Sequence, residues 1–315
     1  MATTSRVIGR VDGSRPGPLV VVTAAIHGNE PAGVQALSDV FRRTETIQPA
    51  DFRGTFAGFT GNLQAFSCGL RFLDRDFNRM WTRSDVDRVL FHGEEHVSGE
   101  ELELFQLYKL ISETIREVRP TSVYFLDLHT TSAGGGLFCI PTDESGSLAF
   151  SKTLQAPVIL GIFDKVQGTL LRFAADGHFT RGVADIPVYG AAFEAGQHDD
   201  PLSVSRSVSA IFHTLHRAGC TIDSRMANPE ETMLRGYLSG LPRVVRLLYV
   251  HHIQPGDHFV MRPGYENFQV VKAGEHLADD IRGQVLSPYS GMILMPLYQP
   301  QGSDGFFLVK EEEDQ

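Results

Sequence analysis

The sequence predicts an α/β fold: a larger domain with a mixed sheet over residues 1–235, then a small all-β domain over residues 236–315. Three observations predict it. Runs of β-branched and small apolar residues, PLVVV at 18–22 and SVYFLDL at 122–128, have the composition of strands buried on both faces. Between them lie stretches whose apolar residues recur at helical spacing, the alternation expected of a sheet covered by helices. From Arg243 onward the texture changes to short strand-like runs separated by QPGD, RPGYE, SPYSG and QPQGSDG.

Composition narrows the partners. The chain has 315 residues, a formal net charge of −10 and no run of Lys or Arg, which argues against nucleic acid or an anionic membrane surface as a partner. An acidic small substrate would need a local cluster of arginines working against the overall field. Cys68, Cys139 and Cys220 are an odd number without CxxC spacing, which fits a reducing, cytoplasmic compartment and no disulfide framework. The N-terminal residues lack the apolar stretch of a secretion signal, and the longest apolar run is far below a membrane span.

Taken in order, RVIGRV reads as an edge strand closed by a Gly/Ser/Pro turn. The strand at Val20–Val22 empties into His27, Gly28, Asn29 and Glu30, where the carboxyl end of a strand in an open α/β sheet gathers chemistry. H-x-x-E lets an imidazole and a carboxylate converge on one cation, although by itself the pattern equally describes a solvated loop. Pro31 can open a helix that turns Val34, Leu37, Val40 and Phe41 inward. GTFAGFTGN gives another strand, and GLRFLDRDFNRMW at 69–81 alternates charge and hydrophobe too densely for a plain surface loop. Asp74 and Asp76 there could simply pair with Arg71, Arg75 and Arg79 in a surface ion network.

His92 and His96 in HGEEH match an inverted zinc-protease pattern that requires one continuous helix. Gly93 interrupts it, and Ser98 with Glu101 reads as a capping box that starts a new helix, so both histidines are assigned to a solvated loop. Pro120 ends that helix. Asp127 and His129 follow on one strand face, and Asp127 is placed to orient either His129 or His27. LFCIPT and APVILGIF continue as strands, with a helix near 165–175. Glu194 ends a small-residue strand, where partial desolvation would raise its pKa and suit it to acid/base work. Asp199 or Asp200 can cap a helix over 202–217 that Gly219 terminates, and residues 220–241 read as a linker. His251 and His252 read as ordinary strand and turn residues.

HGNEPAG, GLRFLDRDFNRMW, DLHTT and FEAGQ, in this order over residues 18–200, resemble the aspartoacylase and succinylglutamate desuccinylase family, which is related to zinc carboxypeptidases. The resemblance implies a mixed-sheet, zinc carboxypeptidase-like (phosphorylase/hydrolase-like) catalytic domain and one zinc ion per chain. His27, Glu30 and His129 would then be the zinc ligands, leaving a fourth position open for water. It also implies Glu194 as general base, Arg71 as the group that polarises the scissile carbonyl, and Asn78 with Arg79 as the grip on a substrate carboxylate. Arg181 resembles the family's second carboxylate-binding arginine. The tyrosine that aspartoacylase places shortly before that arginine is absent, and His178 stands near as a substitute donor. Tyr289 is the candidate for a tyrosine that the family sometimes inserts from the C-terminal domain.

The activity so implied is a zinc-dependent deacylase or amidohydrolase acting on a small carboxylate-bearing compound such as an N-acyl amino acid. A metallocarboxypeptidase or esterase using the same centre, and a zinc-retaining binding protein without turnover, stand as alternatives. The sequence leaves a homo-oligomer open.

Overall fold

The apolar runs at 18–22 and 122–128 become adjacent parallel strands in the middle of a large sheet. The computed structural model describes residues 5–183, 185–220 and 240–312. Its strands are β1 (Val7–Asp12), β2 (Arg15–Ala24), β3 (Arg53–Thr60), β4 (Val123–Thr131), β5 (Phe138–Pro141), β6 (Val158–Leu160), β7 (Val188–Gln197) and β8 (Val244–His252). After these come β9 (Val260–Met261), β10 (Val270–Val271), β11 (His276–Asp280), β12 (Gly283–Leu286), β13 (Gly291–Leu294) and β14 (Asp304–Glu311). The helices are α1 (Ala32–Thr44), α2 (Leu63–Cys68), α3 (Arg83–His92), α4 (Gly99–Val118), α5 (Gly146–Ser151), α6 (Leu170–Ala175) and α7 (Ser203–Ala218).

Eleven strands form one mixed sheet in the order β1-β3-β2-β4-β7-β5-β6-β8-β14-β13-β10. β3, β2, β4 and β7 run parallel, and β1 closes one edge antiparallel to β3. Successive side chains on a strand point to opposite faces, so β2 and β4 feed two helix layers. Leu19, Val21, Val123 and Phe125 join Leu104, Leu107, Ile111 and Ile115 of α4. Val20, Val22, Tyr124 and Leu126 join Leu37 and Val40 of α1 and Ile211 and Leu215 of α7. Asp127 and His129 continue the face of Val123 and Phe125 beyond the point where helix packing stops. That placement is what puts polar groups over the carboxyl end of the sheet.

Residues after 240 extend this sheet. β8 pairs parallel with β6, and β14, β13 and β10 follow it outward, while β9, β11 and β12 form a separate three-stranded sheet. On β14, Phe307 and Val309 pack into the main core and Phe306 and Leu308 into the C-terminal one, so a single strand is shared by both. The linker expected at 220–241 lies mostly outside the described residues.

Two local expectations are corrected. Ser98 makes no side-chain cap bond at α4. Glu101 instead reaches Arg88 at 2.8 Å, and the neighbouring Glu100 accepts from the Leu73 and Asp74 amides at 2.6 and 3.1 Å, tying the helix start to the 69–81 segment. Residues 83–92 form a helix that the sequence reading did not assign, capped by Thr82, whose hydroxyl accepts from the Asp85 amide at 3.1 Å. The three cysteines are free. Among the described residues, no helix is long and apolar enough to cross a membrane.

Candidate active site

The carboxyl end of β2 turns sharply. Ala25, fully buried, adopts a left-handed φ of 53°, and its carbonyl accepts the Asn62 amide at 2.8 Å. Gly28 then passes so close to α2 that a Cβ there would lie 2.3 Å from the Ala65 carbonyl carbon and the Phe66 nitrogen. Only glycine permits this approach, which brings His27 and Glu30 over the sheet.

Glu30 sits between two imidazoles. Its Oε1 is 2.9 Å from His27 Nδ1 and its Oε2 is 3.0 Å from His129 Nδ1, and the Thr130 amide donates to Oε2 at 3.0 Å. One donor atom from each of His27, Glu30 and His129 lies within 4.8 Å of the others, and all three residues are buried. Among the described residues, this is the group that could hold a metal ion.

The outward nitrogens of both rings face carboxylates. His129 Nε2 is 2.8 Å from Asp127 Oδ2, and the other Asp127 oxygen accepts from Thr23 Oγ1 at 2.7 Å. His27 Nε2 is 3.5 Å from Asp76 Oδ1, and Asp76 Oδ2 is 3.2 Å from Arg71. With His129 Nε2–H bonded to Asp127, the Nδ1 lone pair of that ring is left for a cation, the arrangement that orients metal-bound histidines, while Asp76 lies beside His27 Nε2 without a hydrogen bond. Of the two partners open for Asp127 in the sequence, the structure brings it to His129. Asp76 lies beside His27 while also pairing with Arg71, a pairing the sequence left open; its place next to the imidazole had no signal in the sequence.

Electrostatics follow this geometry. Burial alone would raise the Glu30 carboxyl, but His27 and His129 outweigh it and hold it well below the ordinary range. Asp76 is likewise held low, burial being overcome by Arg71 and His27. Burial would lower His129, yet Asp127 and Glu30 carry it well above the ordinary imidazole value. The buried atoms without a hydrogen-bond partner include His27 Nε2, Arg71 Nε and Glu194 Oε2, all in this region.

Glu194 is delivered by strand register. β4 and β7 pair in parallel with His129 opposite Glu194, so the two side chains share the face that carries Asp127. Burial pushes the Glu194 carboxyl up to about 8, with His129 opposing and Glu30 adding to the rise. His27, Glu30, Arg71, Asn78, Arg79, Asp127, His129 and Glu194 all line one cavity of about 130 Å³. Asn78 Oδ1 accepts from the Leu170 amide at 3.0 Å, fixing the amide on the cavity wall. Arg79 Nη1 donates to the Asn78 carbonyl at 3.0 Å, and its Nη2 is 2.6 Å from Asp304 of β14.

The structure does not bring His178 and Arg181 to this cavity, a correction to their expected substrate contacts. His178 packs against Phe173 with ring centroids 4.4 Å apart and the rings tilted, and Arg181 is exposed. Phe179 takes the inward position between them, buried against Tyr108 and Phe125, with His178 half-buried. Tyr289 is half exposed beside Tyr249 and does not line the cavity either. His92 and His96 are exposed.

The C-terminal strands contribute what the sequence reading left unassigned. Met295, Leu297, Gln299, Gly302, Ser303 and Asp304 line the cavity. Gln299 accepts from Asn29 at 2.8 Å and lies 3.3 Å from His198, and Gln301 donates to the Phe72 carbonyl at 3.1 Å. The segment between β13 and β14 is thereby fastened across the mouth.

The donor set fits zinc: two imidazole nitrogens and one carboxylate, with room for a fourth ligand, is the composition of catalytic zinc sites. Residues 16–183, more than half of the chain, match the family model described as the succinylglutamate desuccinylase/aspartoacylase catalytic domain. No curated protein matches the chain. Among solved structures, a succinylglutamate desuccinylase/aspartoacylase from Rhodobacter sphaeroides is similar at 18% identity and a TM-score of 0.66, covering 97% of this chain and 88% of that one. An ectoine utilization protein from Ruegeria pomeroyi is similar at 15% identity and a TM-score of 0.63, with 96% and 87% covered. Murine aminoacylase 3 is similar at 19% identity and a TM-score of 0.58, with 95% and 96% covered. Likeness at this level of identity speaks to the fold.

Proposed function

Since the chain belongs to the succinylglutamate desuccinylase/aspartoacylase family, a family of hydrolases acting on N-acyl amino acids, we propose that it is a zinc-dependent amide hydrolase of a small carboxylate-bearing substrate. The observation that carries this reading is the meeting of His27, Glu30 and His129 with an unpartnered, buried Glu194 oxygen in one cavity.

His27 and His129 through Nδ1, and Glu30 through its carboxylate, would hold the ion, with Asp127 fixing the His129 ring. When bound, zinc would lower the pKa of a bound water toward about 7, polarise a carbonyl, and favour the ionised form of a nearby carboxyl. Glu194 removes the proton as the water oxygen attacks the amide carbon. Arg71 faces the carbonyl oxygen and compensates the charge that develops there. Glu194 then returns the proton to the departing nitrogen, so that a carboxylic acid and an amine leave and no net proton is consumed at the enzyme. Asn78 and Arg79 bind a carboxylate of the substrate.

The segment fastened over the mouth favours small substrates over peptides. The free cysteines suit a reducing compartment, and we assign the protein to the cytoplasm.

Purified protein should contain about one zinc per chain by elemental analysis. A screen of N-acyl amino acids, with Glu194→Ala as the blank, should reveal a substrate hydrolysed by the wild type and not by the variant. Equal release from both proteins would remove Glu194 from the mechanism. Tight ligand binding without release by either would favour a binding protein.

A further inference from the structure

Arg79, the residue expected to grip a substrate carboxylate, already has one. Asp304, at the start of β14, places Oδ2 2.6 Å from Arg79 Nη2, while its Oδ1 is 2.8 Å from His252 Nδ1. Asp304 is only 10% exposed, and strand register sets it opposite His252, so the carboxylate is positioned from two sides. Arg71 is similarly matched by Asp76. A divalent ion together with Arg71 and Arg79 is therefore balanced in sign and number by Glu30, Asp76, Asp127 and Asp304, before Glu194 is considered. The cavity holds no surplus positive charge, so each carboxylate a ligand brings must share a cation that is already paired, and a second one adds to that cost.

The cavity also has an apolar portion. Ile140, Ile162, Phe163, Val166, Leu171 and Phe307 all line it. A charged group placed against that surface would lose its hydration without a partner, whereas an alkyl or aryl group would gain from burial.

We propose that Asp304 is a specificity-determining residue: by occupying Arg79 it makes the site select ligands with a single carboxylate and an apolar remainder over dicarboxylates. The remaining N–H groups of the Arg79 fork still accept one carboxylate, and Asp304 opposes a second. This rests on the hydrolase reading for the meaning of the site, but its test uses binding alone.

Titration calorimetry on the zinc-loaded protein compares hexanoate with succinate, which share one carboxylate and the same number of non-hydrogen atoms, hexanoate carrying alkyl carbon where succinate carries a second carboxylate. Wild-type protein should bind hexanoate more tightly by about tenfold or more, the equivalent of one uncompensated charge contact. Asp304→Asn should narrow that ratio by about tenfold, through tighter succinate binding, because Arg79 is then free to pair with the second carboxylate. Asp304→Ser removes the same charge with less bulk and gives the same reading should the asparagine variant not fold. Wild-type preference for succinate, or a ratio unmoved in a folded variant, would overturn the proposal. Because turnover is not used, absence of hydrolysis would leave the ratio readable, and a flat ratio would leave the hydrolase reading untouched.

Discussion

Replacing Glu194 with glutamine should make the metal-free protein more resistant to denaturant at alkaline pH while leaving it close to wild type in mild acid. Burial moves this carboxyl from the ordinary glutamate value of 4.5 to about 8. Because the folded-state value lies above the unfolded one, the folded protein holds the proton more tightly. The stability this gives is fully present below about pH 4.5 and is lost as the pH rises through about 8. Each pH unit in that window is worth about 1.4 kcal/mol, which sets a ceiling of about 5 kcal/mol. Water drawn into the cavity on ionisation raises the local dielectric, and about 2–3 kcal/mol is the expected difference. Glutamine keeps the shape of the protonated acid and cannot ionise. Urea denaturation of chelator-treated wild type and Glu194→Gln, at about pH 5 and about pH 8.5, reads the difference directly. Curves for the two proteins that stay parallel from one pH to the other would refute the burial argument. Reloading with zinc should shrink the gap, since a nearby dication favours the ionised carboxyl.

Asp127→Asn should weaken metal binding about 10- to 100-fold in a chelator-competition assay, since the His129 ring loses the carboxylate that orients it; unchanged affinity would mean that packing alone holds the ring. Gly28→Ala should reduce both thermal stability and bound zinc, because the added carbon meets backbone 2.3 Å away and must displace the turn that carries His27. Trp81, 2% exposed among Phe77, Phe173 and Phe179, supports the wall beneath Arg79. Its replacement by alanine should cost about 3–5 kcal/mol in equilibrium unfolding, and a change below about 1 kcal/mol would show that the cluster collapses around the gap.

What could be read from the sequence was what strand chemistry and short spacing encode. His27 and Glu30 are three residues apart after a Val-rich run, and Asp127 and His129 are two apart on another, so their shared faces follow from local geometry. Glu194 was legible as a carboxylate at the end of an apolar strand. The register that sets it beside His129 was not, because pairing of β4 with β7 depends on the whole sheet. The pairing of Asp76 with Arg71 was open in RDFNR and is present, but its approach to His27 was not legible, because only the fold brings the two together. Arg181 was drawn toward the site by pattern, while the aromatic packing of Phe179 decides which side of the turn faces inward. Ser98 had the right neighbours for a cap, yet the chain entering α4 is tied down by Glu100 and the 69–81 segment instead. Asp304 gave no local signal at all in GSDG: its role comes from a contact 225 positions away.

β14 carries Asp304 into the cavity and, within the next five residues, four side chains divided between two cores. Selectivity is thus wired into the scaffold rather than hung on a loop that can be exchanged at will. Transplanting this C-terminal stretch between relatives would retune ligand choice only where the partner strand β8 keeps its alignment. A shift of one position would turn the acid away from Arg79 and send each of the following side chains to the opposite core. Diversification at this mouth should therefore proceed through coordinated replacements on β8 and β14, and directed-evolution libraries would do well to vary the two strands jointly.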